Sequence, residues 1–206
     1  MPRLTQIKET KKGRLALFLD GEFAFSLDED TFAAAHLHED DELEPWQVEQ
    51  LRKQSDTRRA LDKAMDYLSL RDHASGELYQ KLCRKFDAHS AAYAVARAGE
   101  LGLLDDAGFA RRRAAELLRK RKSRREILND LAAKGIDRDT AAEAVESLYD
   151  ETEEGEDPEM ASVQALLERQ YAAKLAAGKR DQVAAALARR GFSHAIIREA
   201  LAAYED

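Results

Sequence analysis

The 206-residue chain has little that would cross-link it, break its helices or place it in a membrane. Its single cysteine, Cys83, excludes an intramolecular disulfide, and its position beside Leu82 in an apolar pattern predicts a buried structural thiol. Three prolines leave room for helix almost throughout. No apolar run approaches the roughly 18 residues of a membrane span, and residues 1–4 lead into charge rather than into an apolar signal segment. We therefore expect a cytoplasmic protein with no membrane partner.

Two kinds of chemical site are also missing. There is no glycine-rich phosphate loop, so ATP use is not supported, and no cluster of His, Cys, Asp and Glu has metal-ligand spacing. We expect neither a cofactor nor a metal. His73 stands alone in a loop before a predicted helix, where histidine is usually a cap or a surface residue.

One short phrase occurs three times in the chain. The copies occupy residues 77–86, 126–136 and 182–192, and their starts are therefore 49 and 56 residues apart. Each copy is an amphipathic helix that ends in a basic residue, a turn and one large apolar residue. This spacing fits a three-helix unit, and repeats of this size stack into arrays with an extended surface. The sequence predicts a mainly α fold of three tandem three-helix bundles in an elongated array.

The helix boundaries carry recognisable signals. Ser123 with Glu126 forms a capping box, Pro158 follows a capping aspartate, and Gly135 and Gly191 can take the left-handed conformation that ends a helix. The predicted helices are 58–70, 76–85 and 90–101 in the first unit, 107–120, 124–134 and 138–149 in the second, and 158–176, 179–190 and 194–204 in the third.

The first 45 residues have a different residue pattern from the rest of the chain, and this pattern predicts a small antiparallel β-hairpin domain. Strands are expected at 5–8, 14–19 and 22–27, because apolar residues alternate there and an Asp20-Gly21 pair separates the last two. Helices at about 30–35 and 45–53 should cover the sheet, with Trp46 as a packing anchor. The predicted domains are 1–56 for this part, 57–106 and 107–150 for the first two repeats, and 151–206 for an acidic linker with the third repeat.

Charge is distributed unevenly along the chain. Residues 1–58 carry a net charge of −5, 59–106 carry −1, 107–149 carry +4 and 150–206 carry −5, within a total of −7. The middle repeat alone is basic. Because affinity for polyanions depends on the local field, a nucleic-acid contact remains open at this repeat, although strong autonomous DNA binding is not expected.

The basic residues concentrate in positions 111–125, which hold nine cations and one acid, Glu116. Helical periodicity buries Ala110, Ala114, Leu117 and Leu118 and places Arg112 and Arg119 on the opposite side. Most charged stretches of this kind simply form a solvent-exposed helix surface. However, like charges at this spacing are mildly destabilising without an anionic partner, so we favour contact with phosphate or an acidic protein surface. The candidate binding residues are Arg111, Arg112, Arg113, Arg119, Lys120, Arg121, Lys122, Arg124 and Arg125.

Adjacent carboxylates at Asp105 and Asp106 could serve a catalytic or metal-binding role. Neighbouring residues on a rigid helix cap cannot both face one substrate, and no other acidic or histidine cluster accompanies them. We expect a structural role instead: one of them caps the helix that follows and places negative charge at its positive end.

Two phrases carry a resemblance to a known family. Residues 70–78 resemble an R-x-x-S-x-x-E-L signature, and residues 101–110 resemble an L-G-x-L-D-D-x-x-F-A signature, both typical of RecX proteins, modulators of the RecA recombinase. With the repeats, the resemblance covers roughly residues 59–206. Ala74 stands where the family usually has serine, and the first repeat lacks the glycine before Phe86. The residues that carry the motif are Arg71, Glu77, Leu78, Asp105, Asp106 and Phe109.

The resemblance implies a monomeric regulator with a role in homologous recombination, DNA repair and the SOS response, not an enzyme. Its partner would be the RecA filament on single-stranded DNA, whose ATPase and strand exchange it would inhibit, with single-stranded DNA as a further contact. The alternative is an autonomous DNA-binding helical module, since three-helix units can imitate helix-turn-helix domains. A nuclease that uses Asp105 and Asp106 is the least favoured hypothesis.

Overall fold

The computed structural model describes residues 1–150 and 157–204. The chain divides into two compact units. The first contains Met1–Asp72 and Leu78–Leu104, and the second contains His73–Glu77 and the chain from Asp105 onward.

The first unit begins with the predicted antiparallel sheet. Strands β1 (Leu4–Glu9), β2 (Leu15–Leu19) and β3 (Glu22–Leu27) lie side by side in chain order. The tight turn between β2 and β3 has φ of 49° at Asp20 and 89° at Gly21. Positive φ at both central residues is what a type I′ hairpin turn requires, so the turn prediction is confirmed.

One face of the sheet forms a core with two helices, as predicted. Leu4, Leu17, Phe25 and Leu27 are buried there, with partly buried residues of helix α1 (Glu29–Ala35) packed against them. The first turns of helix α2 (Pro45–Leu70) contribute further, through Val48 and Leu51. About 45 residues of strand and loop therefore obtain their core by recruiting helical surface.

Helix α2 is one continuous helix, so the prediction of separate helices at 45–53 and 58–70 is wrong. Residues 54–57 are polar but include neither glycine nor proline, and nothing in them stops a helix. Ser55 is fully buried and its hydroxyl donates a 2.6 Å hydrogen bond to the carbonyl oxygen of Ser26 on β3. Ser55, in the polar stretch that suggested a helix break, instead joins the sheet to α2 by a hydrogen bond.

The rest of the first unit packs α4 (Ala88–Glu100) and the part of α3 (Ser75–Leu82) from Leu78 onward against the second half of α2. Leu78 and Leu82 are fully buried in this core. Cys83 is exposed, so the prediction of a buried thiol is wrong; the helical part ends at Leu82 and the next residue turns outward. Trp46 is also not a packing anchor, because 63% of its surface is exposed at the start of α2.

The second unit contains helices α5 (Asp106–Arg119), α6 (Arg124–Ala133) and α7 (Arg138–Asp150). Ala110, Ala114 and Leu117 lie in their common core, and Leu118 is partly buried against it. The buried stripe predicted for α5 is thus confirmed. Gly135 takes φ of 77° in the turn between α6 and α7, as expected for a glycine that closes a helix.

The last helices form another core within the same unit. They are α8 (Pro158–Leu166), α9 (Ala172–Ala176), α10 (Arg180–Arg189) and α11 (His194–Ala203). A π-helical segment, Leu167–Tyr171, separates α8 from α9 and turns Tyr171 into the core, so the predicted helix 158–176 is interrupted rather than regular. Of the acidic linker that the sequence predicts at 150–157, residues 151–156 lie outside the described residues.

Four hydrophobic cores follow one another along the described chain, one with the sheet and three with helices. The mainly α fold with a small N-terminal antiparallel sheet is confirmed. The domain boundaries at 56/57, 106/107 and 150/151 stay predictions, and the first of these positions falls inside α2. Among residues 1–150 and 157–204, no helix combines the length and apolar character that crossing a membrane requires.

Candidate functional site

The candidate site is a basic corner, which we define as residues 111–125: most of α5, the turn after it and the first residues of α6. The buried stripe of α5 faces the core, and Arg111, Arg112 and Arg119 are exposed. The turn then brings Arg124 and Arg125 to the surface at the start of α6. One helix end and the next helix start therefore present cations from a single corner of the second unit.

The turn itself contains an unusual backbone. Arg121 has φ of 57°, in the left-handed region, while the Lys122 amide donates to the Leu117 carbonyl at 3.1 Å. The same hydrogen-bond pattern closes α6 at Gly135 and α10 at Gly191, where glycine takes the left-handed position. An arginine there costs about 1 kcal/mol more than glycine. Arg121 therefore occupies a left-handed position of the kind that glycine takes in these other turns.

Several cations of the basic corner are paired within the protein. Arg113 binds Asp130 of α6 through two hydrogen bonds of 2.8 Å and also reaches Glu116 at 2.9 Å. Lys120 lies 2.5 Å from Glu116. These pairs correct the expectation that few acids offset the positive charge of residues 111–125. Asp130 is outside that range in sequence, but its carboxylate binds Arg113 in the folded protein.

Arg113 is a structural residue. Its side chain is 26% exposed, and its hydrogen bonding to the Asp130 carboxylate is the main reason that the pKa of the guanidinium is raised above its ordinary value. A planar fork that meets a carboxylate with two parallel bonds is the strong form of this interaction. Arg113 therefore links α5 to α6. Its guanidinium has no second pair of donors left that could bind an external phosphate in the same two-bond geometry.

Lys122 and Arg124 are also engaged. Lys122 lies 3.0 Å from Glu126. The Arg124 guanidinium lies 5.5 Å from the centre of the Tyr149 ring, and it also lies 3.5 Å from Glu146. Both ion pairs are partly exposed, so each is worth little in stability and its cation can exchange the carboxylate for another anion.

The remaining cations divide into two kinds. Arg112 is exposed, and its Nη1 atom reaches back to the first turn of α5, where it lies 3.0 Å from the position of a Cβ on Gly108. Within residues 1–150 and 157–204, no ion pair or side-chain hydrogen bond engages the other four guanidinium groups, which belong to Arg111, Arg119, Arg121 and Arg125. These four are the part of the corner that is best placed to meet an external anion.

The two adjacent aspartates cap two different helices. Asp105 accepts a 2.8 Å hydrogen bond from the Gly108 amide in the first turn of α5, as predicted. Asp106 instead accepts from the Ser75 amide at 2.8 Å and from the Ser75 hydroxyl, at the start of α3. Ala74 is fully buried, and the polar contact at the start of α3 comes from Ser75 and Asp106 together. Among the described residues, no group of three or more His, Cys, Asp or Glu could hold a metal ion.

The other motif residues, like Asp105 and Asp106, have structural roles. Glu77 is 9% exposed and lies 2.8 Å from Lys134 Nζ, while Leu78 is fully buried and Phe109 packs partly buried on the core of α5–α7. Arg71 is exposed and donates to the Asp72 carbonyl at 2.8 Å. His73 is 4% exposed, which corrects the expectation of a surface histidine and makes it part of the packed turn.

The start of α6 is held by two caps, one of which the sequence did not reveal. The predicted capping box of Ser123 and Glu126 is present, and the Ser123 hydroxyl donates a further 2.7 Å bond to the Arg190 carbonyl. Glu159 of α8 accepts from the Arg124 amide at 2.9 Å. Nothing local in sequence indicates this second cap, because the two partners are 35 residues apart.

Glu159 gives a prediction for the dependence of stability on pH. Burial raises its pKa above the ordinary value, with Asp157 adding to the effect and Arg124 opposing it. A raised folded-state pKa means that its contribution to stability is full below about pH 4.5 and is lost as the pH rises through the folded-state pKa. We expect Glu159→Gln, which keeps an acceptor for the Arg124 amide, to reduce this loss in urea unfolding measured from about pH 4 to 7.

Glu116→Gln is the matched control for that measurement. Hydrogen bonds from Lys120 and then Arg113 lower the pKa of Glu116, so its contribution is present above the ordinary pKa and is lost as the pH falls. The two variants should change the pH profile in opposite directions. A Glu159→Gln profile that declines toward neutral pH as steeply as the wild type would contradict the assignment.

Comparison with known proteins places these features in a family. Two family models match, one described as the first three-helix domain of RecX, over residues 60–97, and one as its second three-helix domain, over residues 105–145. Regulatory protein RecX of Bacillus subtilis (strain 168) is 30% identical over 211 residues, which cover 98% of this chain and 76% of that protein. Regulatory protein RecX of Lactobacillus johnsonii is 33% identical over 154 residues. That alignment covers 73% of this chain and 57% of the relative, so the chain spans little more than half of that protein's length.

Solved structures show the same fold. A crystal structure of regulatory protein RecX superposes with a TM-score of 0.66 at 20% identity and covers 96% of this chain and 98% of its own. The crystal structure of RecX from Lactobacillus salivarius gives a TM-score of 0.60 at 20% identity and covers 73% of this chain and 97% of its own.

Proposed function

The chain belongs to the RecX family, and from this membership we propose that it regulates the RecA recombinase. It binds the RecA filament on single-stranded DNA and lowers the ATPase and recombinase activity of that filament. The observation that carries the mode of action is the basic corner, in which four arginines are left without an internal partner among the described residues.

The charge distribution favours a local contact over binding by the whole surface. The chain carries −7 in total, so its long-range field repels polyanions, and only residues 107–149 carry a net positive charge of +4. A protein of this kind gains affinity for a nucleoprotein filament from specific protein contacts, while the basic corner meets DNA phosphate or an acidic patch of the filament. Arginine suits either anion, since its fork binds carboxylate and phosphate with two donors.

The test is the ATPase activity of RecA on single-stranded DNA, measured while the purified protein is added. We expect hydrolysis to fall in a dose-dependent manner and to approach its minimum near stoichiometric protein. Unchanged hydrolysis at a molar excess of protein would contradict the proposal.

The alternative is a DNA-binding module that acts without RecA. If the four unpartnered arginines neutralise about four phosphates of a single strand, log affinity should fall with log salt at a slope of about −3. Tight binding with that slope in the absence of RecA would favour the alternative, and negligible binding at moderate salt favours regulation.

We further propose that the protein acts by binding and not by catalysis. Asp105 and Asp106, the adjacent carboxylates that could suggest a nuclease site, each accept hydrogen bonds at a different helix start. Magnesium-dependent cleavage of DNA that is lost in Asp105→Asn would contradict this. A cytoplasmic location and a monomeric state remain predictions.

A further inference from the structure

An open groove lies on the first unit, on a part of the fold that the basic corner does not include. Its volume is about 1110 Å³, and α1, the first half of α2 and two residues of α4 line it. Leu37, Leu43 and Leu51 are buried at its base. The groove is thus built on the core that joins the sheet to its helices.

Two large aromatic side chains are exposed along this groove. Trp46 is 63% exposed and Tyr93 is 48% exposed. Exposed tryptophan and tyrosine beside an apolar floor are typical of protein interfaces, where rigid amphipathic rings provide most of the binding energy. Packing of the described chain gives Trp46 no comparable role.

The shape of the groove fits a helix. Along α2, the lining residues Trp46, Gln50, Thr57 and Leu61 follow one face at spacings of four, seven and four. At a rise of 1.5 Å per residue this face is about 22 Å long, the length of an α-helix of about 15 residues. A helix that lies along it would present apolar residues at every third or fourth position.

The charge around the groove selects the kind of helix. Residues 28–51 contain nine acidic residues and no lysine or arginine, and Asp28, Asp30 and Glu49 of this stretch line the groove. The two lining cations are offset locally, since Lys53 lies 3.6 Å from Glu49 and Arg58 lies 3.6 Å from Asp62. The α1 end of the groove is therefore acidic.

We propose that this groove is a docking site for a basic amphipathic helix of a partner protein. The apolar face of that helix covers Trp46 and Tyr93, and its flanking lysine or arginine side chains face the acidic rim formed by Asp28 and Asp30. This site is separate from the proposed contact of the basic corner and does not depend on it.

Trp46 provides a direct test, because it is the only tryptophan in the chain. The probes are 16-residue amphipathic peptides with a leucine, phenylalanine or methionine face, each made with lysine, glutamine or glutamate flanks. With the full-length protein, we expect lysine-flanked peptides to shift Trp46 emission to shorter wavelength in a saturable manner. They should bind about tenfold or more tightly than their glutamate-flanked counterparts.

Variants locate the binding in the groove. With labelled peptide and anisotropy as the readout, Trp46→Ala and Tyr93→Ala should each weaken binding about tenfold. Phe23→Ala is the matched control, since Phe23 is 62% exposed and does not line the groove, and it should bind as the wild type does. All three side chains are largely outside the core, so folding is retained.

Four outcomes would overturn the proposal. They are a lack of saturable binding by every peptide, equal binding of the glutamate-flanked peptides, a Trp46 shift caused by single-stranded DNA, and a Trp46 shift that depends only on protein concentration. The third would assign the groove to nucleic acid and the fourth to a second copy of the chain.

Discussion

Replacing Gly76 with alanine is expected to lower the free energy of unfolding by about 2 kcal/mol, although alanine normally favours a helix. Gly76 lies in the first turn of α3, where an added Cβ would stand 2.6 Å from the Cα of Gly135 and 2.9 Å from its carbonyl oxygen. Both atoms belong to backbone, so no rotamer change can relieve the overlap. The junction that Asp106 and the Glu77–Lys134 pair also hold must then open.

Gly99→Ala is the matched control for that loss. Gly99 is also helical, in α4, but a Cβ added there meets no atom within 4 Å. Its substitution should therefore raise stability by up to about 1 kcal/mol, the ordinary gain of alanine over glycine in a helix. Urea unfolding followed by circular dichroism measures both variants. A Gly76→Ala protein as stable as Gly99→Ala would show that the backbones of α3 and the α6–α7 turn are not in close contact.

The contact at Gly76 recurs one repeat later. The turn after the second helix of one repeat meets the start of the second helix of the preceding repeat, first as Gly135 against Gly76 and then as Gly191 against Ser123. At the second junction a Cβ on Gly191 would stand 2.6 Å from the Ser123 hydroxyl oxygen. The repeated sequence pattern therefore encodes more than a helix and a turn, because its glycine is required by the contact with the preceding repeat as well as by the local φ.

Local signals explain which parts of the fold could be predicted. The Asp20-Gly21 turn and the Ser123 capping box depend on residues within four positions of each other, and both are confirmed. The exposure of Trp46 and Cys83 was predicted wrongly, because exposure depends on which distant elements cover a side chain. The break assumed before residue 58 was wrong for the same reason: Ser55 is held by Ser26, 29 residues away.

The charge composition of the sequence locates the candidate site, but it does not show which of the cations are paired within the protein. A count of charges locates the basic corner, since nine cations lie within fifteen positions. It cannot show that Arg113 is fastened to Asp130, 17 residues further on and in another helix. Arg121 is one clue that the sequence offers, because it follows the first helix of its repeat at the place where the third repeat has Gly178. Which cations are left for a partner is decided by tertiary contacts.

Reversing the charge of Arg111, Arg119 and Arg125 together is expected to raise the protein concentration needed for half-inhibition of the RecA ATPase at least tenfold. A tenfold change corresponds to about 1.4 kcal/mol, a modest share of what three lost contacts with phosphate or carboxylate can supply. All three side chains are exposed and lack internal pairs among the described residues, so their change to glutamate should leave folding intact. Half-inhibition is measured with RecA on single-stranded DNA at fixed salt.

Two further variants separate the local contact from net charge and from stability. Lys11→Glu, Lys12→Glu and Arg84→Glu in one protein change the charge by the same amount at exposed positions of the first unit and should inhibit nearly as the wild type does. Arg113→Gln should cost about 1 to 2 kcal/mol of stability by freeing Asp130, yet inhibit normally while folded. If the first control failed as badly as the triple variant, total charge would govern inhibition. If Arg113→Gln alone abolished it, the division of the basic corner into structural and partner-facing cations would be wrong.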